Sequence, residues 1–122
     1  MNTSDKTRSI IEGFSKLNVM ILGDVMIDSY LWGDTQRVSP EAPVPIVHIS
    51  KKENRMGGAA NVALNIRALG AKPIVCTMIG DDNMAGVYRN LLVKRGMTDQ
   101  GVLSSKNCVT TQKTRVISQN QH

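Results

Sequence analysis

Residues 55–70, RMGGAANVALNIRALG, decide how the rest of the chain reads. Two adjacent glycines, Gly57 and Gly58, lead straight into a helical pattern. Ala59, Val62, Ala63 and Ile66 recur at helical spacing, Leu69 extends that face, and Gly70 reads as the stop. Glycine at a helix start lets backbone approach a ligand, because no Cβ stands in the way. The free N–H groups of a first helical turn attract anions and hydroxyl oxygens. Asn61 sits in that turn with a side chain that both donates and accepts. The stretch is therefore a candidate ligand seat, and equally a tight loop-to-helix junction built of small residues. It is neither the dinucleotide fingerprint GxGxxG nor a phosphate loop with its lysine.

On the amino-terminal side, Val19 to Leu22 is a short apolar run closed by Gly23 and Asp24. It reads as a fully buried strand of the parallel-sheet kind. Ligands of open α/β sheets gather at the carboxyl ends of strands, where Asp24 and Asp28 lie. A carboxylate there can accept hydrogen bonds from paired hydroxyls such as a sugar offers. For Asp24 a turn-capping role stands level with this one. Before the strand, residues 8–17 read as a short amphipathic helix carrying Ile10, Ile11, Phe14 and Leu17.

Between strand and helix the texture is extended. Tyr30 to Trp32 reads as strand, residues 39–45 are punctuated by prolines, and residues 44–49, VPIVHI, read as a second strand with Pro45 at its start. This is too much extended chain for a simple βα loop, and it predicts a small separate sheet. His48 falls in the alternating pattern as a surface residue. On the carboxyl side, residues 74–79, IVCTMI, read as another buried strand, parallel to the first through a crossover. Asp82 caps a helix running to about Arg95, with Met84, Tyr88, Leu91 and Leu92 on one face and Gly96 as stop. Val102 and Leu103 form a short third strand, and residues 114–118, TRVIS, alternate like a strand with one side in solvent.

The chain has 122 residues, room for one domain. Aromatic residues are scarce at 3%, and seven methionines help fill the core. The net charge of +5 arises in the second half, because acids and bases balance over residues 1–61. The later basic residues are scattered without stacking aromatics, which argues against a nucleic-acid surface. Cys76 and Cys108 match no metal or redox spacing, and Cys76 reads as a buried thiol. No apolar run is long enough for a bilayer and the amino terminus lacks a signal core, so cytoplasm is the default.

Four blocks in order, ILGDVMIDSYLWGD, RVSPEAPVPIV, MGGAANVALNIRALGA and IGDDNMAG, resemble the PfkB or ribokinase-like family of carbohydrate kinases. The middle two look like the bacterial D-glycero-β-D-manno-heptose 7-phosphate kinases. The resemblance runs from about Asn18 to the last residue. It implies an α/β fold, a Rossmann-type three-layer sandwich present in part, with a small β-sheet lid. The lid strands would lie at about 29–50 and about 100–119 and would form a homodimer contact. The family's sugar site corresponds to Asp28, Gly57, Gly58 and Asn61. Arg55, Lys52 and Arg115 are candidates for the substrate's own phosphate.

The departure is as informative as the match. Family members are longer, and their catalytic base lies in a GAGD block near the carboxyl end, where a helix start also stabilises the transferred phosphoryl. This sequence has no GAGD block. Residues 1–122 therefore read as the amino-terminal portion of a kinase domain, with the ATP-binding and catalytic half absent. The resemblance implies ATP and magnesium as cofactors for the full-length enzyme, but no catalytic residue and no metal ligand in this chain. The implied partner is a small sugar phosphate, with neither nucleic acid nor membrane. The alternative is a non-catalytic sugar-binding or dimerisation fragment, or the product of a truncated gene. A dinucleotide-binding module is a third reading, opposed by the missing fingerprint. With few strands and helices to close a parallel sheet, one face or edge is expected to stay bare.

Overall fold

The structure, a computed structural model, describes residues 2–118. The residue-119 end of the expected return strand and the QNQH tail lie outside the described residues.

Two three-stranded sheets share the chain. The main sheet has the order β1 (Asn18–Leu22), β4 (Lys72–Gly80), β5 (Val102–Ser105), all parallel. The second sheet has β2 (Val25–Val38) at its centre, antiparallel to β3 (Pro45–Gly58) and parallel to β6 (Gln112–Ser118). Helix α2 (Ala59–Ala68) leads from β3 into β4, and α3 (Asn83–Lys94) connects β4 to β5, where the periodicity predicts helices. The result is a partial Rossmann-type α/β unit with a small β-sheet beside it, the fold class implied by the sequence.

The hairpin β2–β3 runs unbroken from the main sheet to its tip. The extended segment, expected to end near Ser50, is longer: β3 continues through residues 51–58 to the glycine pair. Its polar sequence KKENR hides the strand, because both faces there carry charged or polar side chains. Two register shifts, at Trp32/Gly33 and Thr35/Arg37, bend the outer part.

Helix ends follow their sequence signals. Gly70 and Gly96 take positive φ, 101° and 67°, as residues beyond a helix end do. Asp82 Oδ1 accepts from the Ala85 N–H at 2.9 Å and caps α3. The buried face of α2 is centred on Ala60 and Ala63, whereas Val62 and Leu69 are exposed. The small residues win because they let the helix lie close to β4 and β1. Helix α1 (Thr3–Gly13) begins earlier than the apolar pattern indicates and buries none of its residues. Asn2 caps it through the Ser4 N–H.

The core joins both sheets. Val25, Ile27 and Met56 from the hairpin root pack with Ala60, Ala63, Val75, Ile79, Tyr88, Leu92 and Val102. The expectation of fully buried main strands is corrected. Val75 and Ile79 are 1% exposed on the helix-covered face, but Met20, Leu22, Met78 and Leu103 on the other face are all more than half exposed. Cys76, read as buried, is half-buried for the same reason. Side chains alternate across a strand, so covering one face leaves every second residue in solvent. Helices lie on one side of this sheet among the described residues, and the anticipated bare face is present.

Candidate functional site

The site is built where the hairpin leaves and rejoins the main sheet. β1 ends at Leu22, Gly23 and Asp24 turn the chain, and β2 starts at Val25. On the return, Gly58 stands at the start of α2 with φ 61°. The Ala59 N–H donates to the Asp24 carbonyl at 2.9 Å. A Cβ on Gly58 would collide with that same carbonyl oxygen. Gly58 is therefore required twice, for its backbone conformation and for the close approach.

Alternation along β2 puts Met26, Asp28, Tyr30 and Trp32 on one face. Opposite them stand Gly57, Arg55, Glu53 and Lys51 of β3, and on the other flank Lys113 and Arg115 of β6. Asp28 is at the centre. Its Oδ1 receives Lys113 Nζ at 3.0 Å and the Arg115 guanidinium at 2.9 Å, while only 17% of its side chain is exposed. Its Oδ2 lies over Gly57, where a Cβ would overlap it. Burial pulls the Asp28 carboxyl up, but hydrogen bonds from Lys113 and Arg115 and their charge outweigh it and hold the pKa below 3.8. The carboxylate is thus ionised, an acceptor only, and held in one orientation.

Aromatic and cationic groups extend this face. Tyr30 and Trp32 stack with ring centroids 5.6 Å apart. Arg55 and Arg115 lie 4.7 and 5.2 Å from the Tyr30 ring centroid, and Lys51 lies 4.7 Å from that of Trp32. Arg55 also donates to Glu53 at 2.6 Å. On this face four cations, Lys51, Arg55, Lys113 and Arg115, accompany Asp28 and Glu53. The surplus of positive charge suits a polyol that carries an anionic group.

The opposite face of the hairpin root is structural. Ser29 is fully buried; its hydroxyl donates to Asn54 Oδ1 at 2.7 Å and accepts from Gln112 Nε2 at 2.8 Å. These bonds tie the three strands together beneath Asp28.

Of the residues singled out in the sequence, Asp28, Gly57, Arg55 and Arg115 share one face, and Gly58 adjoins it. Asn61, in the first turn of α2, is exposed and lines a cleft with Arg55, Leu64, Leu91 and Arg95. Lys52 stands opposite Leu31, so the strand's alternation places it on the other face, where it borders a groove with Asn90 and Lys94 of α3. Lys113, Tyr30 and Trp32 were missed as site residues. The two-residue spacing of Lys113 and Arg115 in the alternating stretch QKTRVIS was the available signal for Lys113. Among the described residues no group of three histidine, cysteine or carboxylate side chains converges as a metal site. No helix of the described residues is long and apolar enough to cross a membrane.

The family model described as "pfkB family carbohydrate kinase" matches residues 16–122. The bifunctional protein HldE of Helicobacter pylori strain J99 is 46% identical over 103 residues, covering 84% of this chain but 22% of that protein. The chain therefore spans about a fifth of the length of that curated relative. Among solved structures, a nucleoside kinase of Methanocaldococcus jannaschii, an archaeal member of the ribokinase family, superposes with TM-score 0.61 at 18% identity. It is covered to 34%, against 86% of this chain. A ribokinase of Cryptococcus neoformans in complex with ADP gives TM-score 0.60 at 20% identity, covering 86% of this chain and 32% of that one. At such identities these two likenesses concern the fold alone.

Proposed function

Because the chain belongs to the pfkB family of carbohydrate kinases, we propose that it supplies the sugar-holding part of a heptose-phosphate kinase. The complete enzyme would move the γ-phosphoryl of ATP to the anomeric hydroxyl of D-glycero-D-manno-heptose 7-phosphate. That reaction serves ADP-heptose and lipopolysaccharide core synthesis in the cytoplasm. The observation that carries the reading is the Asp28 carboxylate, held ionised by Lys113 and Arg115 against the bare backbone of Gly57.

Asp28 accepts hydrogen bonds from the sugar hydroxyls, Gly57 leaves room for that carboxylate, and exposed Gly58 admits the ring close to the strand. Asn61, in the neighbouring cleft with Arg55, offers a donor and an acceptor there rather than to the hydroxyls at Asp28. Arg55 and Arg115, joined by Lys113, attract the substrate's own phosphate, and a guanidinium fits such a group through two parallel N–H bonds. Lys52 is dropped from this set because it stands on the other face of the hairpin. ATP and magnesium enter as co-substrate. Among the described residues no group of three histidine, cysteine or carboxylate side chains converges.

Phosphoryl transfer needs a base for the attacking hydroxyl and fixed donors for the charge on the moving group. The sequence contains no GAGD block to supply them. The 122-residue chain by itself is therefore proposed to bind without turning over. Isothermal calorimetry with heptose 7-phosphate tests this. Binding by the chain that weakens at least ~10-fold in Asp28→Asn supports it, since hydrogen bonds to a charged group contribute about 1.5–3 kcal/mol. Equal binding by the variant, or ATP-dependent phosphorylation by the chain alone, would overturn it.

A second reading, association through the lid sheet, is favoured by a different observation. Ile46, Ile49, Val116 and Ile117 are exposed on its strands β3 and β6. Light scattering that finds a monomer at every concentration would refute a homodimer through this sheet.

A further inference from the structure

Asp82 lies outside the sugar-facing surface, yet it ties that surface to the main sheet. After β5 the chain crosses from the main sheet to the lid through residues 106–111. Three bonds anchor this crossing to the ends of β4 and α3. Asp82 Oδ2 accepts from the Thr110 N–H at 2.9 Å. The Thr110 hydroxyl accepts from the Gly80 N–H at 3.0 Å, a buried bond. The Cys108 thiol donates to the Ile79 carbonyl at 3.3 Å. Thr110 is 4% exposed. Gly80 is fitted to this arrangement, because a Cβ there would collide with Asp82 Oδ2 and press on the backbone of Cys108 and Thr110.

The lid strand starts directly beyond the anchor. The Thr111 carbonyl accepts from the Ile27 N–H at 2.9 Å, and Lys113 then stands opposite Asp28. A strand has a side-chain period of two, so a slip of one residue would carry Lys113 and Arg115 to the other face. Among the described residues β6 is also an edge strand, paired only with β2. Its register therefore depends on where the crossing is fixed.

We propose that Asp82 is a positioning residue that sets the register of β6 on β2 and thereby delivers Lys113 and Arg115 to Asp28. The functional weight of this rests on Asp28 holding the sugar, but the positioning itself is measurable without any sugar. The two oxygens of Asp82 have separate tasks, Oδ1 capping α3 and Oδ2 holding Thr110. Asp82→Ser keeps a helix-capping oxygen and removes the second acceptor. Thr110→Val leaves Asp82 intact and removes the hydroxyl that serves Gly80.

The test follows the Asp28 carboxyl by NMR titration in the full chain, with amide exchange read alongside. In Asp82→Ser the Asp28 titration moves up toward the ordinary carboxylate range, and exchange in residues 112–118 quickens roughly tenfold while β1 and β4 keep their protection. Thr110→Val moves both in the same direction and serves if the first variant does not fold. An unchanged Asp28 titration in the folded variants, or exchange that quickens equally throughout the chain, would overturn the proposal. Absence of heptose 7-phosphate binding by the wild-type chain would sink the sugar reading instead, and would leave this result standing.

Discussion

Asp28 and Gly57 are diagonal neighbours on adjacent strands, and the carboxylate oxygen Oδ2 occupies the space a Cβ at residue 57 would need. An ionised acceptor therefore lies directly against buried main chain that carries no side chain. Gly57→Ala forces one of the two to move. Insertion of extra volume into such a contact costs about 1–3 kcal/mol. The expected outcome is a lower urea midpoint together with at least tenfold weaker heptose 7-phosphate binding by calorimetry; a variant unchanged in both would show that the contact is slack.

Gly58→Ala tests the junction rather than the site. Its φ of 61° is unfavourable for alanine, and the new Cβ would meet the Asp24 carbonyl. The loss should exceed ~1 kcal/mol in chemical denaturation, because strain and collision add. Gly13→Ala, with nothing near its Cβ, is the control and should leave the midpoint unchanged or raised.

The pH response has a definite sign. A carboxyl whose folded pKa is lowered stabilises the fold above its unfolded value and loses that contribution as pH falls through the folded one. For Asp28 the loss begins below the ordinary value of 3.8. Trp32 is the sole tryptophan and sits on the same lid face, so its fluorescence reports the event. The emission should change on acidification below pH 4 in the wild type, and Asp28→Asn should lack that transition.

Tyr88 acts at the other extreme. It is fully buried, its hydroxyl has no hydrogen-bond partner among the described residues, and burial pushes its pKa up to about 12. The unfolded chain loses this proton near 10.0, so stability should decline as pH rises from 10.0 toward 12. Tyr88→Phe should remove most of that decline in alkaline denaturation while leaving neutral stability nearly unchanged.

The bare face of the main sheet predicts behaviour in solution. Met20, Leu22, Met78 and Leu103 are exposed together on one side. Such a patch binds apolar dyes and promotes association. Leu22→Lys combined with Leu103→Glu should reduce anilinonaphthalene sulfonate binding and sedimentation of aggregates. The thermal midpoint should stay within a few degrees, since neither side chain is buried.

Much of this architecture is legible in short windows of sequence. Periodicity marks α2, α3, β1 and β4, glycines mark their ends, and GDVMID puts an aspartate just past a strand. Local chemistry controls these features, so a window of ten residues contains the cause. The polar strand 51–58 escapes such a reading because its partner β2, and not its composition, makes it a strand. Lys52 and Lys113 show the same limit. Both are basic residues on lid strands, and only register separates the one that meets Asp28 from the one that faces α3.

By itself, then, the sequence determined the order of elements and the family, whereas the hairpin register laid Asp28 against Gly57. The tertiary structure alone decided that β6 lies parallel to β2, bringing Arg115 to Asp28 across 87 positions of chain. It also decided which side of the main sheet is left bare. Alternation along a strand assigns residues to two faces, but it names neither the neighbouring strand nor the face that helices will cover. Those are settled by contacts between segments distant in the chain.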